Sequence, residues 1–244
     1  DGTPLGDEDL VNTTIAYDQN NAQIAAIPAG GFYVFWQSYY QDGGYYRHYG
    51  QRYDAAGQKV SWDGATPGAE EIRIDPATAG AAGEPSATVL ADGTLAVAWR
   101  YGGDVVYSVW NPAGVLIVDQ QVLSQTTAGT QYEPSLAADG AGGFWAVWQD
   151  DSGIDGSGLG VIGRRFDGTG TAVSDQFVVN SYRNSTQESP EVVALSDGRM
   201  LVIFEENTSA DGSSYGIFGQ LYAADGSRID GMFRINEATE GAQA

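Results

Sequence analysis

The chain repeats itself. Four tripeptides, Phe35-Trp36-Gln37, Ala98-Trp99-Arg100, Val147-Trp148-Gln149 and Ile203-Phe204-Glu205, close apolar runs at one position of a common unit. A second ladder of turns ends at Gly57, Gly114, Gly170 and Gly226, spaced 57, 56 and 56 residues apart. A fixed period of this size marks a stacked or circular array in which no unit buries its own apolar face. The unit is what has to be interpreted.

Each period contains four short stretches of alternating apolar residues bounded by Gly, Pro, Asn or Asp, the pattern of strands. The first stretch is read as Gln23–Ile27, Ser86–Leu90, Ser135–Ala138 and Glu191–Leu195, and Pro85, Pro134 and Pro190 precede three of them. A proline there suits the first residue of a strand, where no ladder bond is lost. The second stretch, typified by Phe144–Gln149, is nearly all apolar, as expected of a strand buried on both faces. A variable loop, a third strand and a looser fourth strand follow, and no helical period competes with them. Four antiparallel strands in about 56 residues is the pattern of a propeller blade. The expected fold is therefore all-β, a β-propeller-like array of four four-stranded units in one domain spanning 1–244, with units at 19–76, 83–124, 132–180 and 188–236. Residues 1–14 match a closing strand, since Gly2 and Asn12 fall where Gly226 and Asn236 stand, so an extra N-terminal strand is expected. The chain begins in mid-repeat and reads as a piece of a longer array or a processed product.

Lys+Arg 11 against Asp+Glu 32 gives a net charge of −21, which repels phosphate backbones and anionic membrane surfaces. Nucleic acid is not an expected partner. There is no apolar run long enough to insert into a membrane. Cysteine is absent, so disulfides and thiolate metal sites play no part. Glycine, at 34 of 244 residues, is about twice its usual share and fits many tight turns.

Two segments carry a resemblance. Gly153-Ile-Asp-Gly-Ser-Gly-Leu-Gly-Val-Ile-Gly-Arg-Arg-Phe-Asp167 and Asp211-Gly-Ser-Ser-Tyr-Gly-Ile-Phe-Gly-Gln-Leu-Tyr222 resemble the repeats of very large secreted bacterial proteins of the haemolysin-type (RTX-like), calcium-associated adhesins. The resemblance covers the whole chain and implies a secreted or cell-surface bacterial location. The second copy departs from it, with a short Tyr101-Gly-Gly-Asp104 loop and Trp110 where Phe or Tyr is usual.

Three constellations are candidates for chemistry. Asp150, Asp151 and Asp155 put three carboxylates in one glycine-containing loop, the hard oxygen ligands that calcium takes, although a solvated acidic turn fits the same residues. Tyr39, Tyr40, Gln41 and Tyr45 crowd the first copy's variable loop, and aromatic faces beside amides hold sugar rings well. His48 is the only histidine, so no Ser-His-Asp triad or histidine metal site is supported, and a structural role is expected of it. Trp36, Trp99, Trp148 and Phe204 recur at a fixed repeat position and are expected to pack between blades.

The sequence therefore points to a non-catalytic binding or adhesion module for a glycan or another cell-surface polymer, stabilised by calcium. Two other readings stand beside it: a glycan-active hydrolase or lyase on a propeller scaffold, and an architectural module. The unmatched closing strand adds an expected partner, a second copy or neighbouring repeats, that would complete a ring.

Overall fold

The computed structural model describes residues 8–41, 43–68, 71–75, 82–182, 185–207 and 215–237. They form four antiparallel sheets that follow one another along the chain. The first contains β1 (Gln19–Ala26), β2 (Phe32–Tyr39), β3 (Tyr46–Tyr53) and the short β4 (Lys59–Val60) and β5 (Ile72–Arg73), both paired with β3. The second runs β6 (Ala82–Val89), β7 (Leu95–Tyr101), β8 (Asp104–Trp110), β9 (Leu116–Val122). The third runs β10 (Gln131–Ala138), β11 (Phe144–Asp150), β12 (Gly160–Phe166), β13 (Phe177–Val178), and the fourth β14 (Gln187–Ala194), β15 (Met200–Glu206), β16 (Gly216–Tyr222), β17 (Arg228–Arg234). Within each sheet, neighbours in sequence are neighbours in space, except that β4 and β5 both pair with β3. This is the β-propeller order that the repeat implied.

The sheets pack face to face through one repeated contact. Trp99 lies against the first sheet's Tyr33 and Phe35, Trp148 against the second sheet's Ala96, Ala98 and Tyr107, and Phe204 against the third sheet's Trp145 and Val147. All three aromatics are 1% exposed or less. Trp36 holds the same position in the first sheet, with Val34, Tyr49 and Tyr53 around it and Val11 laid across them. Trp99, Trp148 and Phe204 therefore each point to the preceding sheet, as expected of blade packing, while Trp36, among the described residues, meets only its own sheet and Val11.

The two ends of the array differ from its middle. The fourth sheet's far face carries Leu201 and Ile203, half-buried, beside Val193, Phe233 and Ile235, which are 50%, 42% and 44% exposed. Among the described residues no apolar cluster joins this face to the first sheet. The N-terminal strand expected at 1–14 is not formed where it can be seen: residues 8–14 pair with no sheet, and 1–7 lie outside the described residues. The Lys59 ammonium instead donates to the carbonyls of Leu10 and Val11 at 2.9 and 3.0 Å, tying the segment to the first sheet.

The inner strands also start earlier than their prolines suggested. They begin at Gln19, Ala82, Gln131 and Gln187, four residues ahead of expectation, and run through the prolines by means of a bulge. The third sheet's closing strand is shorter than its sequence pattern, reduced to Phe177–Val178 with a single bridge from Phe166 to Ala172.

His48 on β3 is fully buried, its ring 5.7 Å from that of Trp99. Burial, with the nearby Arg47 charge, holds its pKa down to about 3. The unfolded chain takes up this proton near pH 6.5 and the folded chain does not, so stability falls as pH drops from 6.5 toward 3, by several kcal/mol on the order of the full shift. Acid titration of the unfolding midpoint should show this slope, and His48→Gln should flatten it. Truncating Trp148 to Ala should cost about 3–5 kcal/mol. An unchanged midpoint would remove the shared-aromatic account of sheet packing.

Candidate functional site at the axis

The four inner strands, β1, β6, β10 and β14, line the axis, and each carries a bulge at one repeat position. The ladder shifts between Asn20 and Gln23, Gly83 and Ser86, Tyr132 and Ser135, and Glu188 and Glu191. Inside each bulge one non-glycine residue takes a left-handed backbone: Asn21 (φ 50°), Glu84 (φ 39°), Glu133 (φ 46°) and Ser189 (φ 50°). A bulged residue commonly sits near right-handed α, but a following proline disfavours that region. Pro85, Pro134 and Pro190 follow Glu84, Glu133 and Ser189, and the first sheet places asparagine, which tolerates the left-handed well, at the same point with no proline after it. Each such residue costs about 1–2 kcal/mol, and strain retained at four equivalent places points to function.

All four bulges border one cavity of about 310 Å³. Its wall is polar and acidic, with Asn21, Glu84, Glu133, Ser189 and Glu191 contributed by four different sheets. The Asn21 amide donates to Gln37 Oε1 at 2.8 Å, and Gln37 in turn stands 3.5 Å from the His48 ring nitrogen. The Ser135 hydroxyl donates to Glu191 at 2.7 Å while its oxygen accepts the Val192 N–H at 3.1 Å, coupling the third and fourth inner strands. Burial pushes the Glu84 carboxyl up from its ordinary pKa, Arg100 opposes the shift, and the Glu133 charge adds to it. Glu84 Oε2 has no partner and almost no solvent contact. Burial likewise raises Glu188, helped by the charges of Glu205 and Glu133. The inner strands thus carry two carboxyls, Glu84 and Glu188, that burial and neighbouring negative charge push up together.

None of these axial residues was singled out in the sequence as a site. The signal was present: Glu84-Pro85 and Glu133-Pro134 repeat the same acid before the same proline.

The tyrosines expected to bind are brought together. Tyr39 packs on Tyr40 and Tyr46 at centroid distances of 5.2 and 4.9 Å, and Tyr40 and Tyr45 are each 49% exposed. Gln41 is turned elsewhere, its amide donating to Glu71 at 2.7 Å. Glu71 also accepts from the Thr13 N–H, so Gln41 serves to tie the loop down. Tyr46, which the sequence places in the same crowd of tyrosines, joins the cluster, and so does Tyr17, which it does not.

In the third sheet's loop, Asp150 and Asp155 are buried and Asp151 is exposed. Asp150 accepts from Trp148 Nε1 and the Ser152 N–H, Asp151 from the Thr130 N–H, and Asp155 from the Ser157 N–H and the Asn180 amide. Each carboxylate expected to bind calcium thus accepts hydrogen bonds from the chain itself, Asp151 and Asp155 from residues more than twenty positions away. Among the described residues no three acidic or imidazole side chains converge as a metal site.

No protein-family model and no curated protein matches this chain. Solved structures match its fold. A protein of unknown function from Dyadobacter fermentans shares 11% identity at a TM-score of 0.61, over 92% of this chain and 71% of that one. The alpha-L-arabinanase of Penicillium chrysogenum, complexed with arabinobiose, shares 14% identity at a TM-score of 0.60, over 88% of this chain and 65% of its own. A polysaccharide lyase of family PL25, an ulvan lyase, shares 8% identity at 0.56, over 91% of this chain and 59% of its own. This chain therefore spans under two thirds of the length of the two enzymes. At such identities the likeness establishes the propeller fold.

The charge coupling at the axis can be measured directly. Replacing Glu133 with Gln should bring the Glu84 carboxyl back down toward its ordinary pKa, and Arg100→Ala should push it further up. A carbon-detected NMR titration of the Glu84 carboxyl in both variants reads these two shifts. Identical curves would mean that the three groups do not share a field.

Proposed function

We propose that this chain is a glycan-active propeller that hydrolyses carbohydrate at the axial cavity. One observation carries the reading: Glu84 and Glu133, from equivalent bulges of adjacent sheets, line one cavity, and burial favours the protonated form of Glu84. Glycoside hydrolysis needs such a pair, a carboxylic acid to protonate the leaving oxygen and a second carboxyl to act on the sugar. Glu84 is assigned the acid, and Glu133 the second carboxyl. The arabinanase and the polysaccharide lyase that share the fold support a carbohydrate ligand. The acidic cavity and the net charge of −21 disfavour a polyuronate, so hydrolysis of a neutral glycan fits better than lyase chemistry. A secreted or cell-surface setting belongs to the same proposal and is supported by the repeats' resemblance to exported proteins.

A second reading, binding without catalysis, is favoured by the half-exposed tyrosines of the first sheet. Reducing-sugar release from a panel of neutral polysaccharides, arabinan included, separates the two. Activity that falls about a hundredfold or more in Glu84→Gln, with binding retained, supports the hydrolase. Binding with no turnover in the unmodified chain leaves the adhesion-type module standing, and neither binding nor turnover removes both.

A further inference from the structure

Tyr17 and Tyr40 combine two features that folding alone does not reward. Both have a left-handed backbone, with φ of 63° and 66°, which a bulky side chain adopts only at a cost. Both also leave their rings in water, at 65% and 49% exposure, so burial does not offset that cost. The two rings nevertheless meet at 5.3 Å, and the contact continues through Tyr39 to Tyr46. Tyr45, also 49% exposed, has the Arg47 guanidinium 5.9 Å from its ring, and Arg47 is held below by the buried Asp75 at 3.8 Å.

The ladder starts beside the axial cavity. The Asn20 amide donates to the Tyr46 hydroxyl at 3.4 Å, and the next residue, Asn21, is the first sheet's contribution to the cavity wall. The Tyr40 N–H bonds the Tyr45 carbonyl, and the Gln41–Glu71 hydrogen bond fixes the loop from its far side. The rings are thus set before any ligand arrives, which lowers the ordering cost of binding.

We propose that Tyr17, Tyr39, Tyr40 and Tyr46 form a carbohydrate subsite that stacks successive sugar rings of a neutral or amino-sugar polymer whose chain continues into the axial cavity. The proposal rests on the carbohydrate reading of that cavity. Sugar rings offer apolar C–H faces edged with hydroxyls, and a tyrosine offers a flat apolar face with a polar tip. The chain's net charge of −21 disfavours sulfated and uronic polymers at the same surface.

The consequence is a dependence on ligand length. Calorimetry on the whole chain should find that Tyr17→Gly and Tyr40→Gly each weaken binding of a long neutral oligosaccharide by about tenfold, with disaccharide affinity unchanged. Glycine relieves the left-handed strain, so the melting temperature should hold or rise while affinity falls. A merely structural tyrosine would lower both. Tyr40→Trp should keep the long-ligand affinity. Equal loss for disaccharide and oligosaccharide, or no loss for either, overturns the subsite. If the variants bind long ligands normally while Glu84→Gln abolishes turnover, the subsite fails and the axial reading stands. If they lose long-ligand affinity while the unmodified chain shows no turnover, the subsite stands and the hydrolase fails. Binding of a protein partner in place of any sugar removes both.

Discussion

Everything in this structure depends on the contact between one sheet's aromatic at the Trp99 position and the following face of the sheet before it. Trp99, Trp148 and Phe204 make that contact three times. Its partners vary in volume, from Ala96 and Ala98 in the second sheet to Trp145 and Val147 in the third, so the fit is recovered each time with different side chains. Sheet-on-sheet packing of this kind sets the angle between neighbours and so places the inner strands around an axis. The axial cavity is a by-product of that placement. Its lining is largely polar, and some of it also ties neighbouring inner strands together, as Glu191 does by accepting from Ser135 and Ser86 by accepting from the Leu136 N–H.

The bulges show how a packing scaffold acquires chemistry. A regular inner strand would alternate its side chains between the two flanking sheets. Inserting one residue breaks that alternation and turns a side chain toward the axis. The left-handed conformation at each bulge is strained, and the surrounding sheet packing has to hold it. Asn21 reaches the same backbone without proline, and its amide is then held through Gln37 beside the neutral His48. The one histidine is therefore part of the wall that positions the axis, and not a catalytic base.

The sequence revealed the fold more fully than the site, for reasons that particular residues make plain. The aromatic at the Trp99 position recurs because every interface needs it, so periodicity alone located the core. The glycines of the turns were equally legible, as at Gly57, Gly114, Gly170 and Gly226, all with positive φ. Pro85, Pro134 and Pro190 misled the strand boundaries, because proline in a bulge loses no ladder bond and so carries the same signature as proline at a strand start. The axial acids were hidden among the chain's 32 acids, and the one signal that marks them, the repeated Glu84-Pro85 and Glu133-Pro134, reads equally as a strand start. Tyr39, Tyr40 and Tyr45 were visible as a cluster, whereas Tyr17 joins them only through the pairing of β1 with β2.

The ends of the array decide how the site is reached. Trp36 has no preceding sheet among the described residues, and Val11 lies on it instead, held by the Lys59 bonds to the backbone. That arrangement covers Val34 and Trp36 with a few residues, while Ile24, opposite Val34 on the same face, stays 70% exposed. A rigid first sheet is what the tyrosine cluster requires, because its rings hang from the ends of β2 and β3 and from the approach to β1. The fourth sheet has no such cover, and Val193, Phe233 and Ile235 stay in water. The sheet that presents the aromatic surface is thus the braced one, while the opposite end of the array contributes Ser189 and Glu191 to the cavity from a sheet packed on one side only. Precision at the axis should accordingly be greatest where Glu84 and Glu133 stand, between sheets packed on both faces.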